Sequence, residues 1–165
     1  MTERVHHSAI CVADVDASLR FYRDGIGMTV LMDQIFEGDW PALFGADART
    51  LRSVMLGDPG VAEAGIVELV QFAPDAAPAP GTGPASVERW RTPPEAPPST
   101  GFFLLSCFVD VEATLARLAG LGLGGTPRRT EQPAPGGATV PMATVLDPDG
   151  VLVELIGAPV AGDDG

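Results

Sequence analysis

Val145-Leu146-Asp147-Pro148-Asp149-Gly150, followed by Leu152-Val153-Glu154-Leu155-Ile156, has a near twin earlier in the chain: Met55-Leu56-Gly57-Asp58-Pro59-Gly60, followed by Ile66-Val67-Glu68-Leu69-Val70. Each consists of an apolar strand-like run, a turn rich in Asp, Pro and Gly, and a second run carrying one glutamate, which is a hairpin signature. Working back from the two hairpins, the same features recur in the same order. Strand candidates at Met28 to Phe36 and Gly125 to Gln132 precede them. Before those come two helical patterns, one opened by Asp14 with Val15, Leu19 and Tyr22 at helical spacing, the other by Asp110 with Val111 and Leu115. Laying Asp110 on Asp14 matches Val111 with Val15, Ala113 with Ala17 and Leu115 with Leu19. The first helix is expected to close at Gly25 or Gly27 and the second near Gly120 or Gly122, as glycine stop signals. Val5 to Val12 and Phe102 to Val109 are the opening strands. The pattern is β-α-β-β-β, twice, and the fold class is α+β.

Between the copies, residues 73–101 carry half of the 16 prolines and no apolar periodicity. Proline fixes φ and removes a backbone donor, so this stretch belongs to no central strand. The domain plan is therefore a first module over 1–73, a proline-rich connector over 74–101, a second module over 102–158 and a frayed tail over 159–165. Trp90, between Arg89 and Arg91, is expected to dock part of the connector on the body.

Composition narrows the function. The 165 residues hold 22 acidic and 10 basic side chains, a formal net charge of −12, and every basic residue is Arg. Such a chain is repelled by duplex nucleic acid and by anionic membranes, which removes both as partners. No apolar run approaches the roughly 20 residues needed to span a bilayer, and no signal-peptide core follows Met1. A soluble, cytoplasmic protein is expected. The two cysteines, Cys11 and Cys107, each lie in an apolar run and make no disulfide framework.

Glu154 and Glu68 are the residues whose chemistry calls for an account. Each stands in a strand that is otherwise apolar on both faces, so its carboxylate meets a hydrophobic environment whichever way the strand turns. An ionised carboxylate there is costly unless paired or metal-bound. A bland explanation exists, an ion pair with Arg52 or Arg128 or a strand edge reaching water. The recurrence at equivalent repeat positions favours function.

Together these residues carry a resemblance. The doubled unit, the opening His7-Ser8-Ala9-Ile10-Cys11-Val12 with Asp14 seven residues after His7, Phe21-Tyr22-Arg23-Asp24 with Gly25 and Gly27 behind it, and the closing Asp147-Pro148-Asp149-Gly150 with Glu154-Leu155 resemble the vicinal oxygen chelate superfamily. That group includes glyoxalase I, methylmalonyl-CoA epimerase, extradiol dioxygenases, and the bleomycin and fosfomycin resistance proteins. The resemblance implies that the modules form a half-open eight-stranded barrel holding a divalent metal, often in a homodimer. Its metal positions fall on His7, Glu68 and Glu154, with Glu68 or Glu154 also serving as the catalytic proton shuttle. The fourth position, seven residues before Asp110, falls on Phe103, which cannot ligate; neither can Phe102, Leu104 or Leu105 beside it. A lone histidine in a strand is more often a core residue than a ligand, but His7 stands at the family position, while His6 faces the other way. With these two histidines only, a two-histidine facial triad is not available, which disfavours extradiol ring cleavage. One imidazole and two carboxylates suit Zn, Ni, Mn, Co or Fe.

Two functions of different class follow from the resemblance. One is a glyoxalase-like, metal-dependent lyase or isomerase acting on a small carbonyl or hydroxy substrate through a metal-stabilised enediolate. The other is a metal-free binder of a small drug or metabolite, with Phe103, Trp40, Tyr22 and methionines such as Met32, Met55 and Met142 against a flat apolar ligand and acidic side chains facing a cationic one.

Overall fold

The computed structural model describes residues 5–46, 48–61, 65–73 and 101–161. The expected connector over 74–101 and the docking of Trp90 lie, but for Gly101, outside the described residues, as do residues 162–165 of the tail. The chain divides into two compact units, each built on a four-stranded sheet. The first carries β1 (His7–Cys11), β2 (Thr29–Glu37), β3 (Thr50–Gly57) and β4 (Ile66–Ala73) in the order β1-β4-β3-β2. The second carries β5 (Leu105–Phe108), β6 (Gly124–Pro133), β7 (Thr139–Leu146) and β8 (Leu152–Ile156) in the order β5-β8-β7-β6. In both, the first strand runs parallel to the last and the other pairings are antiparallel. Parallel strands need a crossover rather than a hairpin, and the helix after the first strand supplies its beginning.

That helix is α1 (Val15–Leu19) in the first unit and α3 (Val111–Gly120) in the second. The aspartates act as expected: Asp14 Oδ1 accepts from the backbone N–H of Asp16 at 2.9 Å and of Ala17 at 3.2 Å, and Asp110 Oδ1 accepts from Ala113 N–H at 3.0 Å. α1 continues into a wider π-helical stretch, Arg20–Ile26, which ends at Gly27 in the left-handed conformation with φ of 99°. In the second unit Gly120 is the last helical residue and Gly122 takes the left-handed turn.

Alternation sorts each sheet into two faces. Ile10, Val54, Leu56, Val67 and Leu69 turn toward α1 and form a buried core with Val15, Leu19, Phe21 and Tyr22. Cys107, Ala143, Val145, Val153 and Leu155 do the same with Val111, Leu115 and Leu118 of α3. Because Val67 and Leu69 face the core, Glu68 must face away from the helix, and Glu154, between Val153 and Leu155, does the same. Among the described residues no helix is long and apolar enough to cross a membrane.

Two elements depart from expectation. The opening strands are shorter than the apolar runs that suggested them, so Phe102 and Phe103 precede β5 and are exposed. The stretch after β2, where the sequence offers no helical periodicity, forms a one-turn helix, α2 (Trp40–Phe44), with Pro41 in its first turn and left-handed Gly45 at its end.

Candidate functional site

Strand register decides which side chains meet on the helix-free face of the first unit. Ala9 pairs with Glu68, which is also opposite Met55 on β3. His7, two residues before Ala9, therefore shares its face with Glu68, and Ser53, two before Met55, flanks it from the other side. His7 Nε2 lies 3.1 Å from Glu68 Oε2, and the Ser53 hydroxyl donates to Glu68 Oε1. The imidazole is 35% exposed and the carboxylate 14%. His7 Nδ1 lies 2.9 Å from Nδ1 of His6. With Nε2–H donated to the carboxylate, His7 Nδ1 is the acceptor of the His6 N–H, an assignment of the tautomer from its partners. The carboxylate thus has a donor on each oxygen. Arg52, weighed as the partner of Glu68, sits on the opposite face. It donates to Asp33 at 2.9 and 2.7 Å and to Asp16 at 3.0 Å, which holds the Asp33 carboxyl below the usual carboxylate range and raises the Arg52 guanidinium.

The Ser53-Glu68-His7 chain forms the polar floor of a cavity of about 620 Å³. Its walls are Met32 and Phe36 of β2, Leu51 and Met55 of β3, Val70 and Phe72 of β4, and Trp40 and Phe44 of α2. Residues four apart on a helix stand side by side, so this single turn is enough to stack Trp40 on Phe44, with ring centroids 5.8 Å apart and planes 17° apart. Phe44 in turn meets Phe72 edge-on at 6.3 Å. Trp40 lines this cavity, whereas Tyr22, also expected in a pocket, is fully buried in the helix-side core against Phe21 and is absent from the cavity wall. Helical spacing marked Tyr22 as inward, and inward on that element means core.

The second unit repeats the carboxylate but not its surroundings. Glu154 accepts from the Ser106 hydroxyl at 2.8 Å and lines a recess of about 160 Å³ with Arg128, Met142 and Thr144. Its serine comes from the strand before the helix, where the first unit has Ala9. Register also refines the missing histidine. Ser106 pairs with Glu154 as Ala9 pairs with Glu68, so the counterpart of His7 is Leu104, not Phe103. The cap aspartate follows the strand one residue sooner in the second unit, and counting back from it overshoots by one. Phe103, expected in the pocket, is 47% exposed and lines neither cavity.

For a divalent metal, the first unit brings together two donors, His7 and Glu68; the expected third, Glu154, belongs to the second unit, where Leu104 offers no ligand. Among the described residues no group of three or more His, Cys, Asp or Glu is gathered to hold an ion. Catalytic metal sites generally use three protein ligands, and the first unit by itself supplies two donors. What they can do unaided is hold and pass a proton at the foot of an apolar cavity.

Residues 4–155 match the family model of the Glyoxalase/Bleomycin resistance protein/Dioxygenase superfamily. The lactoylglutathione lyase-like protein terB of Aspergillus terreus is 34% identical over 160 residues, covering 94% of this chain and 75% of that relative. Among solved structures, a glyoxalase family protein from Bacillus cereus superposes with a TM-score of 0.68 at 18% identity, over 98% of this chain and 97% of the other. Glyoxalase I of Leishmania major gives a TM-score of 0.55 at 23% identity, over 94% and 87%. The doubled module, the repeat-related glutamates and the match over nearly the whole chain agree: this protein belongs to the Glyoxalase/Bleomycin resistance protein/Dioxygenase superfamily.

Proposed function

We propose that the protein is a lyase or isomerase of this superfamily that moves a proton on a small carbonyl or hydroxy substrate, with Glu68 and His7 as its acid–base pair. The observation that carries this reading is the 3.1 Å approach of His7 Nε2 to Glu68 Oε2 on the floor of an apolar cavity. The relative named for lactoylglutathione lyase supports the reaction class. On an α-hydroxyketone Glu68 takes the proton from the hydroxyl-bearing carbon, the electron pair moves into the adjacent carbonyl to give an enediolate, and the His7 N–H turns from Glu68 to the oxyanion formed there. The hydroxyl proton passes to that oxyanion and Glu68 returns the carbon proton to the former carbonyl carbon, so carbonyl and hydroxyl exchange places with no net gain or loss. Apolar walls strengthen both hydrogen bonds by excluding water. Ser53 keeps the carboxylate aimed.

The donor count gives no step that passes through a metal. Activity is therefore expected to survive dialysis against a chelator within about twofold, where loss of a Lewis acid would cost several kcal/mol of barrier. Loss restored by Zn, Ni, Mn, Co or Fe would instead join Glu154 to His7 and Glu68 as ligands. The test of the acid–base pair is turnover of neutral α-hydroxyketones by wild type and Glu68→Gln. A fall in kcat of about 10²–10⁴ fits the removal of a general base, and unchanged kcat refutes it.

A second reading, a metal-free binding protein, is favoured by the aromatic wall. It is distinguished by saturable binding without turnover of any compound bound. The exposed Phe102, Phe103 and Phe108 support a homodimer that covers them, which light scattering at micromolar concentration would test.

A further inference from the structure

The walls of the cavity select among substrates of the proposed reaction. Four aromatic rings and two thioethers surround the polar floor: Phe36, Trp40, Phe44, Phe72, Met32 and Met55. Rings offer flat faces and edges that stack or meet other rings edge-on, and thioethers favour ring contacts too. Phe44 is 59% exposed although it lies between Trp40 and Phe72, so this wall of the cavity leaves apolar surface accessible to a ligand. A volume of about 620 Å³ lies within the range of sites for drug-sized ligands.

Charge selects further. No arginine is among the described residues lining the cavity, and Arg52, although it lies in sequence between the lining residues Leu51 and Ser53, is committed to Asp33 and Asp16 on the other face. A ligand carboxylate would shed its hydration and meet Glu68 with no guanidinium to offset the cost. A cation would find one carboxylate, already receiving hydrogen bonds from His7 and Ser53.

We propose that the substrate is an uncharged, flat, conjugated molecule carrying a carbonyl or hydroxyl oxygen, and not a peptide conjugate with free carboxylates. This inference rests on the acid–base reading of His7 and Glu68 for the placement of that oxygen. The ring system stacks beside Trp40 and Phe44, and its oxygen reaches the floor.

The test uses one ring with three charges on the full chain: 2-acetylnaphthalene, 2-naphthoate and 2-(aminomethyl)naphthalene, with S-hexylglutathione as the peptide conjugate. Trp90→Phe leaves Trp40 as the single indole of the two in the chain, so its fluorescence reports occupancy, and calorimetry gives the affinity. The ketone is expected to bind about tenfold or more tightly than either charged analogue, a difference of about 1.4 kcal/mol, and to quench Trp40. Phe44→Ala is expected to weaken it about tenfold, while Leu43→Ala, on the same helix and outside the cavity, leaves it unchanged. Should Phe44→Ala fail to fold, Phe36→Ala serves the same purpose. Tighter binding of S-hexylglutathione, of the naphthoate or of the amine than of the ketone overturns the proposal, as does equal ketone binding by Phe44→Ala. His7→Gln separates this inference from the reading beneath it. Ketone binding kept together with full turnover refutes the acid–base pair alone. Turnover lost with S-hexylglutathione still preferred refutes the substrate class alone.

Discussion

Glu68 shows how far a single residue can be read before its neighbours are known. An acidic side chain in an apolar strand has to have a partner, and that much followed from Ile66-Val67-Glu68-Leu69-Val70. Which partner did not follow. Arg52 is near in sequence, yet strand alternation sends it to the other face, and the donors are His7 and Ser53, brought from 61 and 15 residues away by strand register. Glu68→Leu is therefore expected to abolish activity and to cost about 1–3 kcal/mol of stability, because it leaves the buried Ser53 hydroxyl without its acceptor; a thermal melt beside a turnover assay checks both halves. Cys107 carries a second residue-scale consequence. Burial pushes its thiol up to about 11 from an ordinary 9.0. The unfolded chain releases that proton near the ordinary value while the folded chain holds it to about 11, so stability is unaffected below the window and falls as pH rises through it. Cys107→Ala is expected to flatten that fall in denaturation curves taken at about pH 8 and about pH 10.5.

At the scale of elements, caps were the clearest signals and α2 was the least visible. Asp14 and Asp110 stand where a short acceptor must precede a helix, and both accept the expected backbone donors. Asp110→Ala is expected to cost about 1 kcal/mol, measured by urea denaturation. α2 has five residues, none buried, and no side-chain cap, so neither periodicity nor capping announced it. Its role comes from the stacking of Trp40 on Phe44, and its place from Gly38. A Cβ on Gly38 would lie 2.7 and 2.9 Å from two ring atoms of Trp40, closer than carbon atoms approach. Gly38→Ala is thus expected to push the indole off its seat and change Trp40 fluorescence while the melting temperature moves by a few degrees at most. A spectrum identical to that of the wild type would contradict the placement of the ring. The shortened opening strands have a related cause: Phe102 and Phe103 have strand propensity, but propensity without a facing strand does not make one.

For the whole molecule, duplication was legible because both copies keep the same order of hydrophobic periods, caps and turns, and turns are punctuated by residues with fixed backbone demands. The two glutamates stood out because the copies agree at them. Both glutamates leave the core face, but the first unit has His7 where the second has Leu104, and Glu68 lines an aromatic-walled cavity of about 620 Å³ where Glu154 lines a recess of about 160 Å³. The copies have diverged into one unit that joins its carboxylate to a histidine and a serine and another that keeps a carboxylate with a serine. Central to the proposed function is the transfer of a carbon-bound proton by Glu68, backed by His7, inside that cavity. Its most direct measurement is deuterium uptake from D₂O at the α-carbon of 2-hydroxy-1-(naphthalen-2-yl)ethanone, followed by NMR with wild type, His7→Gln and Glu68→Gln. Exchange well above buffer is expected for the wild type, with a fall of about a hundredfold or more in Glu68→Gln. Exchange at the wild-type rate in Glu68→Gln would contradict it.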